Sequence, residues 1–180
     1  EVYSLQQHRK AFCLGNIMPD LKPSFLTTRH EFFGTFNQLQ SNMRELVERS
    51  PEEENARVYW RRFGEVMHYM ADYFTFPHNR TYKGSLAEHN SYEAELKNRL
   101  KECILSGRAD SQLEEAKHFD SFEELIEYIR ERHTCYLESP RCIADDIRFI
   151  LRVCYQVVQG IFQLCMRRQF HMEEQPLMVG

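Results

Sequence analysis

Residues 64–78 read Gly64-Glu-Val-Met-His68-Tyr-Met-Ala-Asp72-Tyr-Phe-Thr-Phe-Pro-His78, and residues 88–93 read Glu88-His89-Asn-Ser-Tyr-Glu93. His68 and Asp72 are four residues apart, so on a helix both leave one face, one turn above the other. His89 and Glu93 repeat that spacing. Between the pairs, Phe76-Pro-His-Asn79 turns the chain and sets His78 near the junction. The stretch thus predicts two neighbouring helices that bring three imidazoles and two carboxylates together. Imidazole with carboxylate suits zinc, and a shared carboxylate can bridge two metal ions. Upstream, Asp20 closes Gly15-Asn-Ile-Met-Pro-Asp20, and His30 opens the next helix. The candidate ligands are therefore Asp20, His30, His68, Asp72, His78, His89 and Glu93. A single His-x3-Asp or His-x3-Glu pair is common in a chain with 8 His and 27 acids, where it usually marks a helix surface. Spacing alone leaves both readings open.

Outward from this stretch the chain reads as helices throughout. Gln6 to Cys13 ends a first helix, and Gly15 to Lys22 is a predicted loop, because Pro19 and Pro23 break helix. Thr28-Arg-His-Glu31 has the form of a capping box that starts a helix to about Glu48. Ser50-Pro-Glu-Glu53 starts a second, which runs to about Phe74 and carries Trp60, the only tryptophan. The acids Glu52 to Glu54 then lie favourably in a first turn. A loop from Pro77 to Ser85 leads to a helix from Leu86 to about Leu105. A polar link precedes Ser121-Phe-Glu-Glu124, which opens a helix to about Leu137. After Ser139-Pro140 comes a last helix, about 141 to 169, with apolar residues at helical spacing from Ile143 to Leu164. The expected fold is all-α, a compact bundle of six or seven helices forming one domain over residues 1–180. The chain starts at Glu1 rather than Met, and the expectation is a domain lacking its N-terminal segment.

Composition narrows the classes. Seven Gly and six Pro are too few for the turns of a β-sandwich or barrel. A net charge of −4 disfavours binding to duplex nucleic acid through phosphate neutralisation. The most apolar stretch, Ile147 to Met166, is interrupted by Arg148, Arg152, Gln156, Gln159 and Gln163, so no transmembrane segment is expected. The cysteines, Cys13, Cys103, Cys135, Cys142, Cys154 and Cys165, form no CxxC and read as reduced, buried thiols. They assign no compartment. His118, His133 and His171 read as surface or capping residues. Arg61 and Arg62 read as a solvated helix face, and Tyr73, Phe74 and Phe76 as packing.

The motifs Gly15-Asn-Ile-Met-Pro-Asp20, His30, Gly64 to His78 and Glu88 to Glu93 resemble those of the zinc-dependent phospholipase C family, whose fold is shared by single-strand-specific fungal nucleases. The resemblance covers residues 12 to 95. It implies one zinc on Asp20, His30, His68 and Asp72, and a second on His78, His89 and Glu93. A third would use a mature N-terminal residue with a nearby His and share Asp72. His8, only 12 residues before Asp20, reads instead as an outer-face residue of the first helix, so two or three ions are expected. The implied chemistry is metal-assisted phosphodiester hydrolysis, with zinc lowering the pKa of water toward ~7 and Asp20 as ligand or general base. The implied substrate is a phosphodiester or phospholipid, met at a membrane surface. Choline-specific members hold the quaternary ammonium by cation–π contact. The corresponding positions here are Leu21 and Thr27, so phosphatidylcholine does not follow. Two alternatives stand beside this reading: a single-strand nuclease of the same fold, and a non-catalytic helical protein that keeps zinc for structure.

Overall fold

The computed structural model describes residues 2–21 and 31–173. Seven α-helices follow in order: α1 (Val2–Gln7), α2 (Arg9–Leu21), α3 (Phe32–Glu48), α4 (Ala56–Tyr73), α5 (Leu86–Leu105), α6 (Phe122–Glu138) and α7 (Ile143–Glu173). Short 3-10 turns lie at Phe76–His78 and Asp110–Gln112, and the described residues contain no strand. The expected all-helical class stands.

Helix α4 is the centre. Its Tyr59, Trp60, Phe63, Val66, Met67, Met70 and Tyr73 are all buried, because apolar residues recur every three or four positions. It packs against α2, α3 and α7, while α5 and α6 lean on α7. From α3 come Phe36, Leu39, Met43 and Leu46, and from α7 Val153, Val157 and Ile161. Trp60 sends its indole Nε1–H to Ser4 Oγ at 3.0 Å, which ties α1 to the core.

The closest approach is between α2 and α4. A Cβ added to Gly15 would lie 1.9 Å from the Arg61 carbonyl oxygen, and one added to Gly64 would lie 2.2 Å from that of Phe12. The two backbones touch where both sequences carry glycine. This contact explains a departure from expectation. Gly15 to Leu21 is not a loop: α2 continues to Leu21 with Pro19 inside it. Proline removes the hydrogen bond to the carbonyl four residues back. Here that residue is Gly15, pressed against α4, and the packing outweighs the lost bond.

Two predicted helix starts also move. Helix α3 begins at Phe32 with Glu31 as its N-cap in extended conformation and without a side-chain cap bond; Thr28 and His30 lie outside the described residues. Ser50 and Glu53 form half a box, with Ser50 N–H donating to Glu53 Oε2 at 2.8 Å. That bond closes a separate turn, and α4 starts at Ala56, capped by the Asn55 side chain. The starts at Leu86 and Phe122 stand, with Ser85 and Ser121 as N-caps.

Helix α7 is long and apolar enough, by length and composition, to cross a membrane. In this fold Val153, Val157 and Ile161 face the other helices. Its glutamines hold the link before α6. Gln156 accepts from Lys117 N–H at 2.8 Å and donates to Glu115 O at 2.9 Å, and Gln163 donates to Lys117 O at 3.0 Å.

The six thiols are free, as expected, but only Cys165 is fully buried; Cys13, Cys135 and Cys142 are exposed. His133 is not a surface residue. It is 2% exposed and stacks on Phe32 with ring centroids 3.9 Å apart. His118 and His171 are exposed.

Candidate metal centre

The site lies where α2, the end of α4, the 3-10 turn and the start of α5 meet. Each part has a local cause. Within α4 the four-residue spacing puts His68 Nε2 3.1 Å from Asp72 Oδ2. The Gly15–Gly64 crossing then carries α2 alongside, five residues to Asp20 and four to His68, and sets Asp20 Oδ1 3.5 Å from the same Nε2.

After Tyr73 the helix ends and Pro77 helps to shape the 3-10 turn. Asn79 Nδ2 donates to the carbonyls of Thr75 (2.9 Å) and Tyr73 (3.4 Å), which holds the turn closed. His78 is thereby buried, with Nε2 3.8 Å from Asp72 Oδ1 and 2.8 Å from Glu93 Oε1. Helix α5 opens with a complete capping box between Ser85 and Glu88. Its first turn places His89 Nε2 2.8 Å from the same Glu93 oxygen.

Six of the seven predicted residues therefore form one line of contacts: Asp20, His68, Asp72, His78, Glu93, His89. His30 lies outside the described residues. The inner members are covered; His68 is 11% and His78 8% exposed at the side chain, whereas Asp20 is 54% and Glu93 43% exposed. Water thus reaches the line at its two carboxylate shoulders. His8 lies at the turn between α1 and α2 and is half-buried.

The electrostatics follow from this crowding. Burial disfavours charge on His68. The hydrogen bond to Asp72 and the charges of Asp72 and Asp20 outweigh it, so the imidazole titrates above its ordinary value, and a bond to the Asn16 backbone adds to this. His78 is raised in the same way: burial opposes, and the charge of Asp72 with the bond to Glu93 prevails. Glu93 is held below the usual carboxylate range, because the bonds from His78 and His89 outweigh its burial.

The donors fit zinc. Ligand atoms of His78, His89 and Glu93 all lie within 4.8 Å of one another, and nitrogen and carboxylate oxygen are both good zinc ligands. His68 with Asp72 and Asp20 offers a second convergent set.

No local pattern of residues marks the group behind the site. Asp146 on α7 is fully buried. Its Oδ2 accepts from Phe76 N–H (3.0 Å) and Tyr92 O–H (2.8 Å), and its Oδ1 from Tyr136 O–H (2.7 Å). One carboxylate thus pins the turn of His78 and the helix of Glu93 to α6 and α7. In sequence, Asp145-Asp146 reads as ordinary acidic charge in a first helical turn. Asn79, whose Oδ1 also accepts from His133 Nε2–H at 3.3 Å, was equally silent. Tyr73 and Phe74 are core residues, as expected. Arg62 pairs with Glu54 and Glu45, and Arg61 is exposed.

No curated protein and no solved structure matches the chain. A family model described as zinc dependent phospholipase C matches residues 1–143. The match takes in every candidate ligand and most of the chain, and the protein therefore belongs to the zinc-dependent phospholipase C family.

Proposed function

We propose that the protein is a zinc-dependent phosphodiester hydrolase that acts on phospholipids, with Asp20, His30, His68 and Asp72 holding one ion and His78, His89 and Glu93 a second. The observation that carries this reading is the position of Asp72. Its two oxygens turn to different histidines, Oδ2 to His68 at 3.1 Å and Oδ1 to His78 at 3.8 Å. A carboxylate so divided links the two ligand sets in one centre.

When bound, zinc supplies Lewis acidity toward a phosphoryl oxygen and acidifies a water molecule. The chain's own residues do the rest. Asp20, on the wet shoulder of the site, accepts the proton of the attacking water as general base. The His68 and His78 rings are fixed by burial and by their carboxylates, so donor directions need no reorganisation when substrate arrives. Asp146 and the Asn79 side chain hold the turn that carries His78. The exposed Leu21 beside Asp20 offers no ring for a quaternary ammonium, so the substrate class is the phospholipid phosphodiester rather than choline lipid in particular.

The test is elemental analysis joined to turnover. Protein purified without added zinc is expected to carry at least two ions, and the His68→Ala/His89→Ala variant to lose them. Asp72→Asn is expected to abolish phosphodiester hydrolysis with helicity retained. Unchanged metal-dependent turnover in Asp72→Asn would reject the proposal. Collapse of helicity on chelation, with no turnover in the loaded protein, would favour a structural zinc instead. Cleavage of single-stranded DNA in preference to phospholipid would favour the nuclease reading.

A further inference from the structure

We infer that the outer face of the α2–α4 pair is a docking surface for an anionic phospholipid bilayer. The inference rests on the reading of the site as a phospholipid hydrolase. On α2, Lys10, Leu14, Ile17 and Leu21 follow at intervals of four, three and four, which keeps them on one helical stripe. Leu14 is 46%, Ile17 54% and Leu21 71% exposed. Beside the first turns of that stripe lies a groove of about 750 Å3 that includes Arg57, Val58 and Arg61 of α4 together with Arg9, Lys10 and Leu14 of α2. No carboxylate lines it. None of the four cations forms an ion pair among the described residues. In a chain of net charge −4, such a cluster is a local exception that calls for an anionic partner.

The chemistry separates the possible polyanions. A single-stranded nucleic acid wants several rings on which successive bases stack, and this groove carries only the imidazole of His8. An apolar stripe edged by cations is instead the pattern of a surface that lies in the headgroup region, with aliphatic side chains below and cations at the phosphates. The face is also in line with the site. Arg57, Arg61, His68 and Asp72 are spaced four, seven and four residues apart on α4, so they share one stripe. At ~1.5 Å per residue, Arg61 precedes His68 by about 10 Å along the axis. On α2 the same stripe ends beside Asp20. A bilayer resting on this face would meet the wet shoulder of the metal centre.

The experiment is vesicle sedimentation in EDTA, which reads binding without hydrolysis. Vesicles of phosphatidylcholine alone are compared with equimolar phosphatidylcholine and phosphatidylglycerol. The protein is expected to partition at least tenfold more strongly onto the anionic vesicles, and less as NaCl rises. Lys10→Gln/Arg57→Gln/Arg61→Gln is expected to lose about 100-fold, at roughly fivefold for each cation. Leu14→Ser/Ile17→Ser is expected to lose about tenfold or more. All five side chains are solvent-exposed, so helicity by circular dichroism should be retained in both variants. With zinc present, both should hydrolyse a soluble short-chain phosphodiester at the parental rate. Equal partitioning onto the two vesicle types, unchanged binding of the triple variant, or stronger binding to a single-stranded oligonucleotide than to anionic vesicles would overturn the inference. Anionic-vesicle binding without hydrolysis of any phosphodiester would uphold the surface and refute the catalytic reading instead.

Discussion

The Gly15–Gly64 crossing makes a prediction in which one chemical change has opposite signs at two places. In Gly15→Ala the new methyl carbon would start 1.9 Å from the Arg61 carbonyl oxygen and 2.8 Å from its carbon. Ordinary carbon–heavy-atom contact is near 3.5 Å, so α2 and α4 must part by about 1.5 Å. The obstructing atoms are helix backbone and cannot swing aside. Overpacking of this kind costs ~1–3 kcal/mol and sometimes more. Because the separation loosens a whole helix pair, the upper end applies: about 3 kcal/mol, after an offset of ~1 kcal/mol from alanine's better helix propensity. Gly34 on α3 is the control. A Cβ there meets nothing within 4 Å, so Gly34→Ala should stabilise by ~0.5–1 kcal/mol. The displacement also reaches the metal centre. Asp20 and His68 lie little more than one turn beyond the crossing, and their 3.5 Å contact should open to about 5 Å. Urea unfolding of the three proteins and zinc titration of the folded forms provide the assay. A Gly15→Ala protein within ~0.5 kcal/mol of the parent, with zinc affinity unchanged, would refute the account of how α2 is held against α4.

Three further outcomes are expected. Asp146→Ala strands the Phe76 amide and the Tyr92 and Tyr136 hydroxyls, and should cost about 3–5 kcal/mol, whereas Asp146→Asn keeps an acceptor and should cost ~1–2 kcal/mol; equal stability of both with the parent in urea would contradict the anchoring role. Burial pushes the His133 imidazole down to about 4 from an ordinary 6.5, so the unfolded chain binds the extra proton first as pH falls. The stability tied to the neutral ring is complete above about pH 6.5 and is lost toward pH 4, about 2–3 kcal/mol by pH 4.5; unfolding midpoints of the parent and His133→Phe in EDTA at pH 7.5 and 4.5 should show that drop in the parent alone, and parallel pH profiles would contradict it. Ser85→Ala removes one half of the capping box with Glu88 and should cost about 1 kcal/mol, with faster amide exchange across the first turn of α5 and weaker zinc binding at His89; unaltered exchange there would show that the box does not hold that turn.

What was legible in the sequence was what a single helical turn decides. The four-residue spacing of His68 with Asp72, and of His89 with Glu93, puts each pair on one face wherever the helices go, and the structure finds both pairs in contact. Apolar periodicity likewise marked α4 and α7 as core helices. Of the capping motifs read in the sequence, the one at Ser121 opens a helix. At Ser50 the same motif closes a turn, because a short polar bond does not say whether the chain beyond it will find a surface to bury against. The exposure of Cys13, Cys135 and Cys142 and the burial of His133 were illegible for a related reason: side-chain type gives a preference, and neighbours distant in sequence give the burial.

Everything that joins one helix to another belonged to the tertiary structure. Asp20 meets His68 across 48 residues because two glycines let α2 and α4 touch, and the same contact keeps Pro19 inside a helix rather than at its end. Asp146 reaches the Phe76 amide across 70 residues, and no local pattern distinguishes it from Asp145 beside it. Residue spacing acts through the 3.6-residue repeat and is spent within a turn or two. Which helices approach, and how closely, depends on the volume left between them once the core is filled. That is why the ligand pairs could be read from the sequence, while their assembly into one centre and the buried carboxylate behind it could not.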